Sequence, residues 1–423
     1  MFFNKFLGRA VSAVIVVTLV VACGGGGGGG STPARTDAPA SPGLNTLPTP
    51  PAVRNALSVS VDAGPPGTGY NVNRLYTDVT ICKPGSTTQC QTIDHVLVDT
   101  GSTGLRLLSS AMAPDLNLSR VPGASGLPLL NCSQFVDNTF AWGPVATADI
   151  VLGGETAANV PIQIIADPAF NRPAAACLGG GKAISTVADI GAKGILGLGL
   201  FTEDCGSRCA ATTNNGFYYT CSDATCVATT PTTASILQQV KNPVPLFASD
   251  NNGILIDLPA VSSGGIPSVT GSLIFGIGTQ TNNLFTSGSV LTTGHSGYFT
   301  TSVAGQTLNT SFIDSGSNGL YFDSATIPSC TGVNAGFYCP TSSTTLSATL
   351  VGTNAASVVV SFSIDNATAL FAGGTNAVLP TLSGTIGNVN TFDWGLPFFY
   401  GRRVFFGIEG QASTLGTGPF YAF

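Results

Sequence analysis

The tightest constraint on this chain is an internal repeat. The stretch VLVDTGSTGLRLLSS around Asp99 returns as SFIDSGSNGLYFDS around Asp314, and the shared pattern is apolar-Asp-Thr/Ser-Gly-Ser-x-Gly-Leu. An Asp-x-Gly triplet by itself closes countless turns and carries little information. Two long copies, each following an apolar run and lying about one domain length apart, imply two units of like fold that each contribute one equivalent loop. The 423 residues suit that division, being too many for one compact core. The expected boundaries are an export segment at 1–22, a linker at 23–56, a first lobe at 57–259 and a second at 260–423.

Short alternating apolar runs, such as 96–98, 149–152, 162–165, 254–258, 273–277 and 358–364, recur between clusters of Gly, Pro, Asn and Thr. That spacing predicts many short strands. The composition agrees, because 54 glycines and only 9% charged residues favour strands and tight turns over charged amphipathic helices. The expected class is all-β with few short helices. One stretch, 233–241 (TASILQQVK), has helical spacing at Ile236, Leu237 and Val240 and is stopped by Pro243. With a net charge of -6 and a pI near 4.7, the chain has no basic surface to neutralise phosphates, so nucleic acid is not an expected partner.

At the N-terminus, Lys5 and Arg9 precede an apolar run from Ala10 to Ala22 that ends in Val20-Val21-Ala22-Cys23. The run is short for a membrane span and reads as an export signal. The tetrapeptide resembles a bacterial lipobox, which makes Cys23 the expected lipidation site; an ordinary cleaved signal with an incidental Cys is the alternative. The glycines at 24–30 and the Pro/Ala/Ser/Thr-rich stretch to about Pro51 suit a flexible spacer behind a lipid anchor. The expected setting is the outer membrane, on either face. Setting Cys23 aside leaves an even number of cysteines, which in an exported chain implies disulfides. Cys82 with Cys90 and Cys330 with Cys339 each close a short turn-rich loop, and Cys132 with Cys177 follows by elimination. The remaining cluster pairs either in nested fashion (Cys205 with Cys226, Cys209 with Cys221), which is the arrangement adopted here, or sequentially. Its spacing also loosely mimics a four-thiolate zinc site, although an oxidising compartment favours disulfides. No metal and no cofactor are expected.

The repeated loop has a chemical meaning. Each Asp ends an apolar strand, where burial raises a carboxyl pKa, and the Gly two residues on allows a turn that no side chain would tolerate. If two such loops face each other, Asp99 and Asp314 come within hydrogen-bonding range and share one proton. The pair is then a general acid and a general base together.

These residues resemble the pepsin-like aspartic peptidases, from about residue 70 to the C-terminus. The resemblance implies a two-lobed acid-protease fold with β-barrel lobes related by a pseudo-two-fold axis, and peptide or protein substrates for a monomer. It makes Asp99 and Asp314 the catalytic pair, with Thr100, Gly101, Ser102, Ser315, Gly316 and Ser317 supporting. In that family Thr100 and Ser315 would cross-bond the loops, and Ser102 and Ser317 would bond the outer carboxylate oxygens. Gly194-Ile195-Leu196-Gly197-Leu198-Gly199 looks like the segment passing behind the first loop, with Asp393-Trp394-Gly395 as its counterpart. GSLIFGIG (271–278), GYFTTSV (297–303) and FDWGLPFFYGRRVFFGIEG also fall where the family has similar strands. Three positions depart from the pattern. The flap Tyr and its Trp partner are replaced by Trp142-Gly143, before a shortened tip, and by Arg106. They are expected either as a cation-π pair over the cleft or with Arg106 facing solvent. Asp393 stands where an apolar residue is usual and is read as a loop residue out of register.

Only His95 and His295 occur, and no G-x-S-x-G or H-E-x-x-H stretch is present, so serine-triad and zinc-peptidase chemistry have little support. His95 alternates onto the face of Asp99 but reads as structural. Trp394 with Phe398, Phe399, Tyr400, Phe405 and Phe406 reads as core rather than a sugar-stacking platform. Three function classes follow: an active aspartic endopeptidase, favoured by two whole loops; a peptide-binding or scaffolding lipoprotein, favoured by the altered flap; and a structural envelope protein, favoured by low charge.

Overall fold

The computed structural model describes residues 54–423 except 124–125, 180, 214, 223–224 and 230–235. The export segment, Cys23 and nearly all of the linker lie outside the described residues. So does the start of the helix expected at 233–241, whose described part is a short 3-10 turn at Ile236–Gln238. The fold takes up the chain slightly before the expected boundary, since Asn55 is fully buried and donates to Phe275 O and Asn282 Oδ1.

Strands dominate. The first seven are β1 (Ala56–Val61), β2 (Leu75–Cys82), β3 (Cys90–Asp99), β4 (Thr103–Leu108), β5 (Leu129–Gln134), β6 (Thr139–Leu152) and β7 (Glu155–Ile165). The helices are few and short, the longest being single turns such as Ser207–Ala211 and Ala367–Phe371. Tight Gly- and Asn-rich turns, many at positive φ, leave strands as the only long elements among the described residues.

The sequence repeat is a structural repeat. In the first copy β3 leads into the Asp99 loop and β4 leads out. A strand from much later in the chain, Gly194–Leu198, lies between them, parallel to β3 with Asp99 opposite Gly197 and antiparallel to β4. On its other side β4 pairs in parallel with β7. In the second copy Gln306–Ile313 leads in and Leu320–Tyr321 leads out. Asp393–Trp394 inserts between them, parallel to the first and antiparallel to the second. Leu320–Tyr321 then pairs in parallel with Ser383–Gly384, so the same four-strand order occurs twice. All six positions of β4 are buried, which explains its near-continuous apolar run: a strand covered on both faces has no polar side to alternate with.

One large sheet runs through both halves, while the strands around the Asp314 loop form a sheet of their own. β1 pairs with β2 and with Val269–Phe275, which continues through Gly253–Leu258 and Arg402–Gly407 to Phe420–Ala422. The expected boundary at 259/260 therefore falls in a loop between two strands that pair with each other. Trp394, Phe398, Phe399, Tyr400, Phe405 and Phe406 are all buried, with Trp394 stacked on Phe392 at 3.9 Å, so they are core.

Five disulfides close: Cys82–Cys90, Cys132–Cys177, Cys205–Cys209, Cys221–Cys226 and Cys330–Cys339. The nested pairing Cys205–Cys226 and Cys209–Cys221 is thus replaced by the sequential one. Cys221 and Cys226 face each other across the hairpin Tyr218–Ser222/Thr225–Ala228, with Cα atoms 4.0 Å apart. Cys205 and Cys209 lie one turn apart at the short helix Ser207–Ala211, with Cα atoms 5.7 Å apart. All four thiols are consumed, which leaves no thiolate cluster for zinc.

Candidate active site

The two Asp loops meet base to base. Asp99 and Asp314 are 7% and 6% exposed, and their carboxyls adjoin at a shared amide. The Gly101 N–H lies 2.9 Å from Asp99 Oδ1 and 3.0 Å from Asp314 Oδ1, so one amide faces both carboxylates. Gly316 N–H donates to Asp314 Oδ1 at 2.7 Å. A Cβ on Gly101 would lie 2.5 Å from the Asp314 carboxyl carbon, and one on Gly316 would lie 2.6 Å from Asp99 Oδ1. Only glycine lets the carboxyls approach this closely.

Beneath the acids, the loops exchange hydrogen bonds. Ser315 N–H donates to Thr100 Oγ1 at 2.9 Å and Thr100 N–H to Ser315 Oγ at 3.1 Å. Ser315 Oγ also donates to Val98 O at 2.8 Å, and Thr100 Oγ1 to Ile313 O at 3.4 Å. This buried lattice fixes the acids' backbones relative to each other. The outer oxygens are also occupied: Ser102 Oγ donates to Asp99 Oδ2 at 2.5 Å, and Ser317 Oγ lies 2.9 Å from Asp314 Oδ2. Burial pushes the Asp314 carboxyl well above the ordinary range; the charges of Asp99 and Asp393 add to this, and the Gly316 amide pulls the other way. Two buried carboxyls this close oppose ionisation of Asp314, which is the condition a shared proton requires.

The residues expected at a flap are placed elsewhere. Trp142 and Gly143 lie within β6, which runs unbroken through 139–152, so the chain makes no turn directly after them and the next hairpin tip lies at Gly153-Gly154. β6 and β7 pack closely there, and only glycine fits: a Cβ on Gly143 would lie 1.8 Å from Ile164 O. Trp142 donates Nε1–H to Phe170 O at 2.8 Å and packs on Tyr219. Arg106 neither stacks on Trp142 nor faces solvent. It is 1% exposed and binds Asn131, Gln163 and Asp204, the last at 3.0 Å. Asp204 also accepts from Asn131 and from Tyr218 at 2.6 Å. Burial pushes its carboxyl up, with Arg106 opposing.

Sequence reasoning missed this network because its members are far apart in the chain. The available signal was a charged residue inside the apolar run TGLRLL. Asp393 gave the same signal. Far from being a loop residue, it is a fully buried strand residue whose Oδ2 lies 2.6 Å from Ser317 Oγ. His95 sits in a bulge of β3 with φ of 52°, bonded to Asp94 and edge-on to Tyr76, and takes no part in the site. The bulge shifts the alternation that placed it on the face of Asp99.

Two strand–loop–strand units, each threaded by a distant strand and joined through their Asp loops, define a chain of pepsin-like architecture. The chain belongs to the family described as "Protein of unknown function (DUF3443)", whose model matches residues 51–423. Among solved structures it is similar to the aspartic proteinase from Irpex lacteus, at 13% identity and a TM-score of 0.46, covering 87% of this chain and 96% of that one. No curated protein matches it.

Proposed function

We propose that this chain is an aspartic endopeptidase. The reading rests on one observation above all: Asp99 and Asp314, from duplicated loops, lie buried side by side, each with Oδ1 against the Gly101 amide. A buried carboxyl pair costs stability rather than supplying it, so a chain that carries one gains something else by it. In the proposed reaction the ionised member removes a proton from a water held between the acids, and the water oxygen adds to the peptide carbonyl. The protonated member gives its hydrogen to the carbonyl oxygen. Collapse of the tetrahedral species returns a proton to the departing amine and breaks the C–N bond. No metal and no nucleophilic side chain enters these steps.

A second reading is favoured by the continuous β6, which offers no hairpin over the acids at Trp142-Gly143. On that reading the chain binds peptides without turnover. Calorimetry with a peptide mimic bearing a hydroxyl at the scissile position separates the two. A working dyad binds it far more tightly than the matching plain peptide, whereas a binding module does not distinguish them. The substrate is proposed to be met in the cell envelope, with the chain tethered as a monomer through lipid on Cys23.

A further inference from the structure

Ser317 carries one hydroxyl hydrogen, yet its Oγ lies 2.9 Å from Asp314 Oδ2 and 2.6 Å from Asp393 Oδ2. That hydrogen fills one contact, and the other requires a hydrogen from a carboxyl. The surroundings decide which acid supplies it. Asp314 accepts two backbone N–H bonds at Oδ1, and these donors support a negative charge there better than anything around Asp393 does, although burial raises both carboxyls. Asp393 is 0% exposed, and its Oδ1 has no hydrogen-bond partner. The titratable groups facing it are Asp314 and Asp99 from the loops, Tyr321 on the neighbouring strand and Tyr421 near the C-terminus, and the Arg74 charge bears on Tyr321. A charge on Asp393 would have one hydrogen bond and no counter-ion among the described residues, which is costly in a buried site. Burial pushes its carboxyl well up.

We propose that Asp393 is a third member of the carboxyl cluster, a neutral acid that donates through Oδ2 to Ser317 and so holds the serine hydroxyl as a donor to Asp314. This rests on the reading of Asp99 and Asp314 as a working dyad. The chain of hydrogens runs in one direction, from Asp393 Oδ2–H to Ser317 Oγ and from Ser317 Oγ–H to Asp314 Oδ2. The first copy of the repeat has no such link. Its inserted strand pairs Leu97 with Ile195 where the second pairs Phe312 with Asp393, so an apolar side chain stands at the equivalent place. The dyad is therefore asymmetric, with Asp393 a positioning residue on the Asp314 side alone. When Asp393 loses its proton at higher pH, the serine hydrogen turns toward the new anion and Asp314 loses a donor. Asp393 thereby sets the alkaline edge of activity.

The test compares infrared spectra of the full chain near pH 6, where an ordinary Asp is ionised. Wild type shows protonated-carboxyl absorption of which Asp393→Asn removes one component, leaving that of the Asp99 and Asp314 pair, and Ser317→Ala moves the Asp393 component to higher frequency because its acceptor is gone. In peptide cleavage, Asp393→Asn, whose amide donates without titrating, carries its alkaline limb to higher pH by about one unit. An unchanged band in both variants overturns the proton assignment, and a lost band with an unmoved limb overturns the positioning role. If wild type cleaves no peptide, the dyad reading fails by itself, while the two band measurements still decide where the proton sits.

Discussion

At the scale of single residues, the site is a set of carboxyls held in conditions that oppose their charge. Asp314 has a raised pKa in the folded chain, so over the range between its unfolded and folded values the native state holds a proton that the unfolded state does not. Stability from this group is fully present below the unfolded value near 3.9 and is lost as pH rises toward the folded value. Asp314→Asn should therefore gain stability relative to wild type by about 1.4 kcal/mol per pH unit across that window. Thermal unfolding of both proteins from pH 4 to pH 7 checks this, and parallel curves would contradict it. Arg106 presents the opposite case, a buried charge with a counter-ion in Asp204 and hydrogen-bond partners at both terminal nitrogens, its Nε alone being unpaired among the described residues. Arg106→Met strands Asp204 without its counter-ion and should cost about 3–5 kcal/mol in denaturant unfolding. The double variant with Asp204→Asn should recover much of that loss.

Among the elements, β1 does more than its six residues suggest, because it joins β2 of the first half to Val269–Phe275 of the second. Truncation through residue 53 should leave folding intact, whereas truncation through residue 61 should abolish it, as read by circular dichroism and protease resistance. Most strands were legible in the sequence from alternation and turn residues, and the repeat exposed both Asp loops directly. Register was less legible. The bulge at His95 and the unbroken course of β6 past Trp142-Gly143 depend on how neighbouring strands pack, which local pattern does not encode. The cysteine cluster shows the same limit: Cys221 and Cys226 pair because a hairpin sets them opposite each other, and spacing allowed either arrangement. Arg106 and Asp393 were visible as charges in apolar strands, but their partners were not, since those lie in distant segments brought alongside only by the fold.

For the whole molecule, one fold holds two copies of a strand–loop–strand unit, and the function proposed for it exists only where the copies meet. Mass spectrometry of the membrane fraction should find an acylated peptide beginning at Cys23; an unmodified Cys23 in soluble protein would remove the proposed tether and leave the site untouched. The dyad itself is tested by incubating wild type, Asp99→Asn and Asp314→Asn with a diverse peptide library from pH 2 to pH 8. Cleavage by wild type within an acidic window, falling on both sides because the singly protonated pair is the active form, together with its loss in both folded variants, is the predicted result. Wild-type protein that leaves every peptide intact, or variants that cleave as well as wild type, would contradict it.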